Sequence, residues 1–186
     1  PPLSGTVNDN TATIRVNVGS QTNVAAVNNG NGTWTLPNNT LTSLADGLYN
    51  VTVTSTDTVG NSGSDATTDE LRVDATAPAI TVNSLLTRDS TPPLSGTVND
   101  ATAPISVTVN GNTFPATNNG NGTWNLADDA ITPALTSGTY NVTATALDSF
   151  GNTGTDATTG ELVVDLVAPV VTVDSLLTND PDPPLT

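Results

Sequence analysis

The 186-residue chain contains no cysteine, no histidine and no methionine. Those absences exclude a disulfide scaffold, zinc centres with soft ligands, cysteine or histidine nucleophiles and a histidine pH switch. Absence of cysteine leaves the compartment open, because only cysteine-rich patterns point to secretion. The basic residues are three arginines, Arg15, Arg72 and Arg88, so no lysine is available as a base or Schiff-base nucleophile. No stretch approaches the roughly 18 consecutive apolar residues of a transmembrane helix. The start carries no basic-then-apolar leader, and both features suit a fragment of a longer protein. Neither a helical period nor a glycine-rich phosphate loop is visible.

Acid is abundant. Eighteen acidic residues against three basic ones give a net charge of -15, and aspartate outnumbers glutamate sixteen to two. Such a surface repels nucleic acid and anionic membrane, and it attracts divalent cations or tolerates high salt. Aspartate is a turn former and a hard-cation ligand. The threonine, valine, asparagine and glycine that dominate the remainder belong to strands and turns.

The chain repeats itself. "PPLSGTVND" occupies Pro1–Asp9 and returns at Pro92–Asp100, 91 residues on. "NNGNGTW" at Asn28–Trp34 returns at Asn118–Trp124, 90 residues on, and "LYNVT" at Leu48–Thr52 matches "TYNVT" at Thr139–Thr143, back to 91. One copy therefore gains a residue between its third and fourth strands and the other between its fifth and sixth, both expected in turns. The closing "PPLT" (Pro183–Thr186) echoes the opening, which corresponds to the second strand of the repeat. The natural unit runs from about Ala77 to Asp165. The expected division is residues 1–76, a first repeat without its own first strand; 77–166, a second repeat; and 167–186, the first strand and following turn of a third.

Alternation places seven strands in the complete repeat: Ile80–Leu86, Pro93–Val98, Ile105–Val109, Thr113–Thr117, Gly122–Leu126, Thr139–Leu147 and Glu161–Asp165. Asn110-Gly111 is a two-residue hairpin signal. Tyr140 suits a tyrosine corner, and Trp34 and Trp124 are expected in the cores. The fold class is all-β: tandem immunoglobulin-like β-sandwiches of about seven antiparallel strands each, in an elongated rod.

The pattern D-x-x-AP-x-x-TV-(D/N)-SLLT…PPLSGTVND…NGNGTW…GTYNVT…D-x-x-GN resembles the tandem bacterial immunoglobulin-like repeats of giant biofilm and RTX-type surface adhesins, over the whole chain. The resemblance implies a secreted, cell-anchored rod at the bacterial surface, commonly stiffened by calcium. The second linker departs from the first, with Leu166-Val167 where the first has Ala75-Thr76.

Seven alternating strands bring distant acids to two poles. Asp46 and Asp74 fall at the bottom of the first repeat; Asp100 and Asp148 fall at the top of the second, with Asn152 and Asp156 nearby. Calcium takes six to eight oxygens at about 2.3–2.6 Å, from carboxylates, amides and carbonyls, which such turns supply. The expectation is one structural Ca²⁺ held by Asp74, Asp100 and Asp148, with Asp9, Asp57 and Asp165 serving further joints. Against it stands turn capping, which explains aspartates at strand ends without a metal. No EF-hand loop or nonapeptide calcium repeat is present. Asp128-Asp129 and Asp180/Asp182 read as solvated turn residues.

No enzyme is expected. The favoured role is a structural extender that holds a distal adhesive region away from the cell, partnered by adjacent repeats. Alternatives are a carbohydrate- or ice-binding module, using the threonine rows Thr52/Thr54/Thr56 and Thr143/Thr145 toward surface glycans or ice, and a filament subunit. In the filament, residues 168–177 of one chain complete the first repeat of another, head to tail. Asn31-Gly32-Thr33 and Asn141-Val142-Thr143 satisfy the glycosylation pattern formally and read as turn and strand residues.

Overall fold

The computed structural model describes residues 2–65, 67–156, 158–179 and 181. Asp180, Asp182 and the closing Pro183–Thr186 lie outside them. The chain divides into two compact units, Pro1–Ala77 with Ser149–Asn152 and Pro78–Asp148 with Thr153–Thr186. The described residues form seventeen strands and no helix.

The first unit contains β1 (Leu3–Thr6), β2 (Thr13–Val18), β3 (Gln21–Asn28), β4 (Thr33–Leu36), β5 (Gly47–Tyr49), β6 (Val51–Thr56), β7 (Ser62–Ser64) and β8 (Leu71–Val73). Six of them form one sheet in the order β1-β4-β3-β2-β6-β7, and β5 pairs with β8. Ile14, Val16 and Val18 alternate inward from β2 and share one core cluster with Trp34 and Leu36 of β4. This period-two burial is what a half-buried antiparallel strand requires.

The second unit contains β9 (Leu85–Thr87), β10 (Leu94–Thr97), β11 (Ile105–Val109), β12 (Asn112–Asn118), β13 (Thr123–Leu126), β14 (Gly138–Tyr140), β15 (Val142–Leu147), β16 (Thr153–Thr155) and β17 (Leu162–Val164). Its six-stranded sheet runs β10-β13-β12-β11-β15-β16, and β14-β17-β9 form a second sheet with β9 parallel to β17. Trp124, Val107, Val109, Ala144 and Leu162 are fully enclosed.

Several expectations hold. Asn110 and Gly111 both take positive φ, 49° and 78°, as a type I′ hairpin demands. Tyr140 Oη donates to Thr136 O at 2.9 Å and Tyr49 Oη to Ala45 O at 2.9 Å, a tyrosine corner in each unit. Both tryptophans are core residues.

Four details differ. The expected strand Ile80–Leu86 is continuous only as β9; upstream it is an isolated bridge, Ile80 to Val98, with alternating single hydrogen bonds. The expected strand Thr139–Leu147 breaks at Asn141, and its halves pair with different sheets. Asn141 Oδ1 accepts from Gly160 N, and Glu161 Oε2 accepts from Val142 N, so side chains satisfy the backbone at the switch. β16, a Thr-Gly-Thr segment, was absent from the strands expected. Finally, the extra residue between the third and fourth strands of the first repeat does not sit in the turn. It forms a β-bulge: Val16 pairs with Val24 but Val18 with Gln21, and Asn23 takes φ 59° with its N–H on Asn17 Oδ1.

Candidate functional site

The acids expected to matter stand at strand ends, and most are held by their own turns. After β1, Asp9 Oδ1 accepts from both the amide and the hydroxyl of Thr11, each at 2.7 Å. After β10, Asp100 Oδ1 accepts from the amide and hydroxyl of Thr102, each at 2.8 Å. The spacing D-x-T generates this arrangement, because an extended residue followed by a turn brings both donors of the threonine onto one carboxylate oxygen. In the turn between β6 and β7, Asp57 Oδ1 accepts from the amides of Val59 and Asn61, and Oδ2 from Asn61 Nδ2. Asp148 stands at the corresponding turn between β15 and β16.

Within each unit the fold joins acids far apart in sequence. The Thr11 hydroxyl, then its amide, hold the Asp9 carboxyl below the usual range, while the nearby Asp57 carboxylate pushes it the other way. In the second unit the Thr102 amide, then its hydroxyl, lower Asp100, and Asp148 opposes them. Asp9 with Asp57, and Asp100 with Asp148, are therefore like-charge neighbours, as the strand count implied. At the exit of β8, Asp46 accepts from the Ala75 amide at 2.7 Å and from the Thr76 hydroxyl, and Asp74 Oδ1 accepts from Thr76 N. The Thr76 hydroxyl is the first cause of the lowered Asp46 carboxyl, and the Ala75 amide is second.

Two of the expected residues serve inside the second unit. Asp156 is buried, and its Oδ2 accepts from Val82 N at 3.0 Å and from the Thr158 hydroxyl. Asp165, exposed after β17, accepts from Val167 N at 3.0 Å, while its own amide donates to Thr87 O. Within each unit, no group of three or more acidic residues among the described ones is arranged to hold a metal ion. The donor chemistry suits a hard cation, since every candidate is a carboxylate or carbonyl oxygen, and one unit's pair alone falls short of the six to eight oxygens calcium takes.

Residues with clear roles that the sequence did not expose are Glu161 and its counterpart Glu70, which accepts from Val51 N at 2.9 Å. The signal was present: both glutamates of the chain stand at the same repeat position, and glutamate is otherwise absent from it. Among the aromatic residues, Phe150 is exposed. The tryptophans are buried, the tyrosines close corners, and Phe114 packs on the core.

A family model described as bacterial Ig-like domain matches residues 1–75 and 78–166. The chain belongs to that family. No curated protein matches it. Among solved structures it is similar to a tetra-tandem repeat from the extending region of a large adhesion protein, at 29% identity and TM-score 0.44, over 94% of this chain and 49% of that one. It is also similar to part of a bacterial ice-binding adhesin concerned with host cell surface retention, at 24% identity and TM-score 0.44, over 88% and 57% of the two chains. Fibronectin(III)-like modules of Clostridium thermocellum CbhA match at 13% identity and TM-score 0.42, over 88% and 84%. The chain thus spans about half the length of the two adhesin structures.

Proposed function

We propose that this pair of bacterial Ig-like domains is an extender module, a stretch of repeated rod that carries a distal adhesive region away from a bacterial surface. The observation that carries the reading is repetition itself: two compact units of the family's domain, built on the same sequence motifs at 90–91 residue spacing. Duplication multiplies length and stiffness, which is what a spacer needs, whereas chemistry needs one site. The role is mechanical and extracellular.

Calcium stiffening at the joints belongs to this reading, with the paired carboxylates at the unit ends as donors. Asp9 with Asp57 and Asp100 with Asp148 repel one another, and a divalent cation turns that repulsion into attraction. Thermal unfolding and calorimetric titration test it. Millimolar Ca²⁺ raises the midpoint by several degrees relative to EDTA, as expected for a ligand that binds only the folded form. Asp100→Asn with Asp148→Asn removes most of that rise. Identical midpoints in Ca²⁺ and EDTA, with no heat of binding, leave a metal-free spacer.

A further inference from the structure

Each unit contains the turn sequence Asn-Asn-Gly-Asn-Gly-Thr, at Asn28–Thr33 between β3 and β4 and at Asn118–Thr123 between β12 and β13. The two turns are held alike. Asn28 Nδ2 donates to the carbonyls of Asp9 and Ala12, and Asn118 Nδ2 to those of Asp100 and Ala103, at 2.8–2.9 Å. Gly30 N donates to Asn28 Oδ1 at 3.1 Å, and Gly120 N to Asn118 Oδ1 at 3.0 Å. Gly32 O accepts from Val7 N and Gly122 O from Val98 N, each at 3.0 Å.

The second glycine of the turn is where they part. Gly32 N donates to Asn10 Oδ1 at 3.0 Å. The position matching Asn10 in the second unit is Ala101, whose methyl accepts nothing. Among the described residues no acceptor holds Gly122 N. Gly122 is exposed, whereas Gly32 is half-buried.

That amide follows an asparagine whose side chain is polarised. Asn121 Oδ1 accepts from the Thr123 amide at 3.2 Å and from its hydroxyl at 2.7 Å, and Asn31 Oδ1 accepts from Thr33 at the same distances. Two donors on one amide oxygen draw charge from Cγ and stabilise an oxyanion formed there. Glycine, without a Cβ, lets its nitrogen approach that carbon closely. The electrophile is therefore alike in the two turns, and the freedom of the nucleophile differs.

We propose that Asn121 is a modification site, at which the chain converts its own side-chain amide to a carboxylate. Hydroxide takes the Gly122 amide proton, the nitrogen bonds to Asn121 Cγ, and the Cγ–Nδ2 bond breaks. Nδ2 takes a proton from water and leaves as ammonia, which regenerates hydroxide. Water then opens the five-membered imide. Attack at Cγ gives aspartate, and attack at the backbone carbonyl carbon gives isoaspartate, with the chain running through Cγ. Either product adds one negative charge to a chain already at -15. In the first unit Asn10 Oδ1 holds the proton that must leave, so Asn31 reacts more slowly. Asn29 and Asn119 are protected in the same way, because Gly30 N and Gly120 N are held by asparagine side chains. Asn110-Gly111 lies in the β11–β12 hairpin, outside these matched turns.

Peptide mass spectrometry on the 186-residue chain, incubated folded in mildly alkaline buffer, tests this. Fragmentation that distinguishes isoaspartate assigns each gain in mass to one residue. Asn121 is expected to convert roughly fivefold faster than Asn31, the factor that one ordinary hydrogen bond supplies. Ala101→Asn returns the missing acceptor and slows Asn121 to the rate of Asn31. Asn10→Ala removes the acceptor from the first unit and speeds Asn31 to the rate of Asn121. Both substituted positions are exposed, so the variants keep the wild-type circular dichroism and melting midpoint. Amide exchange gives an independent reading: Gly122 exchanges faster than Gly32, and Ala101→Asn closes the gap. An intact Asn121 after long incubation, equal rates at Asn31 and Asn121, or an Ala101→Asn chain that converts like wild type overturns the proposal.

Discussion

The two units are near copies in sequence, yet they are not equally buried. Leu162 and Val164 are sealed in the second unit, while Leu71 and Val73 are half-buried in the first. Gly154, Asp156 and Glu161 are buried, whereas Gly63, Asp65 and Glu70 are exposed. The residues correspond one for one, so composition is not the cause. The cause is one segment, residues 79–87, which covers β17 and the edge of β10 in the second unit. The comparison teaches that the domain in its energetic sense begins near Pro78, before the "PPLSG" that marks the repeat most visibly. The core of such a domain is completed from outside its conspicuous sequence motif.

Core truncation breaks the comparison most strongly. Leu162→Ala removes a wholly enclosed side chain and is expected to cost about 2–5 kcal/mol. Leu71→Ala, from a half-buried site, is expected to cost about 1 kcal/mol, since only part of its surface leaves water on folding. Calorimetry that resolves the unfolding of each unit measures both. Equal costs would mean that Leu71 is as fully enclosed as Leu162.

The glycine pair gives a smaller and more local contrast. Gly154→Ala sets a methyl against the Pro78 carbonyl, and an overpacked contact of this kind costs roughly 1–3 kcal/mol. Gly63→Ala meets open space, so its effect on a single chain stays within about 0.5 kcal/mol, as at ordinary surface positions. Chemical denaturation of the two variants separates them. If Gly154→Ala is also neutral, residues 78–87 are held less tightly than their hydrogen bonds indicate.

Most of this architecture was legible in the sequence because its signals are local. Alternation marked β10 through β13, Asn-Gly marked a hairpin, and Tyr140 near the start of its strand marked one tyrosine corner, which the structure repeats at Tyr49. What escaped depends on long-range pairing. β16 is three residues with glycine at its centre, too short and too polar for a period to appear. The break at Asn141 is set by Glu161, twenty residues away, accepting the Val142 amide. The bulge at Asn23 arises because the inserted residue had to be absorbed where Asn17 could hold its amide. At the acidic turns, the pairing of Asp9 with Asp57 and of Asp100 with Asp148 followed from counting strands. The D-x-T spacing that satisfies Asp9 and Asp100 was equally visible as local turn chemistry. The role of Asp156 was not, because it accepts from Val82, an amide 74 positions earlier in the chain.

The exits of the two units offer the finest contrast. Asp46 holds the Ala75 amide and the Thr76 hydroxyl after β8, whereas at the equivalent place after β17 Ser137 Oγ accepts the Leu166 amide. The Ala75 amide is therefore held by a titrating group and the matching Leu166 amide by a neutral one. Asp46 has a folded carboxyl below its usual value of about 3.9, first because of the Thr76 hydroxyl and then the Ala75 amide. A lowered folded value means the unfolded state binds the proton more readily. The stabilisation is then fully present above about pH 4 and is lost as pH falls through the folded value. Because Asp46 lies at the surface, the effect on the melting midpoint is small. It is clearest in amide exchange: protection of the Ala75 amide at neutral pH falls on acidification, while that of the Leu166 amide changes little. Asp46→Ser should bring the first exit to the behaviour of the second, with Ala75 exchange no longer tracking the carboxylate titration. Equal acid sensitivity of the Ala75 and Leu166 amides in the wild-type chain would place the titrating control elsewhere than Asp46.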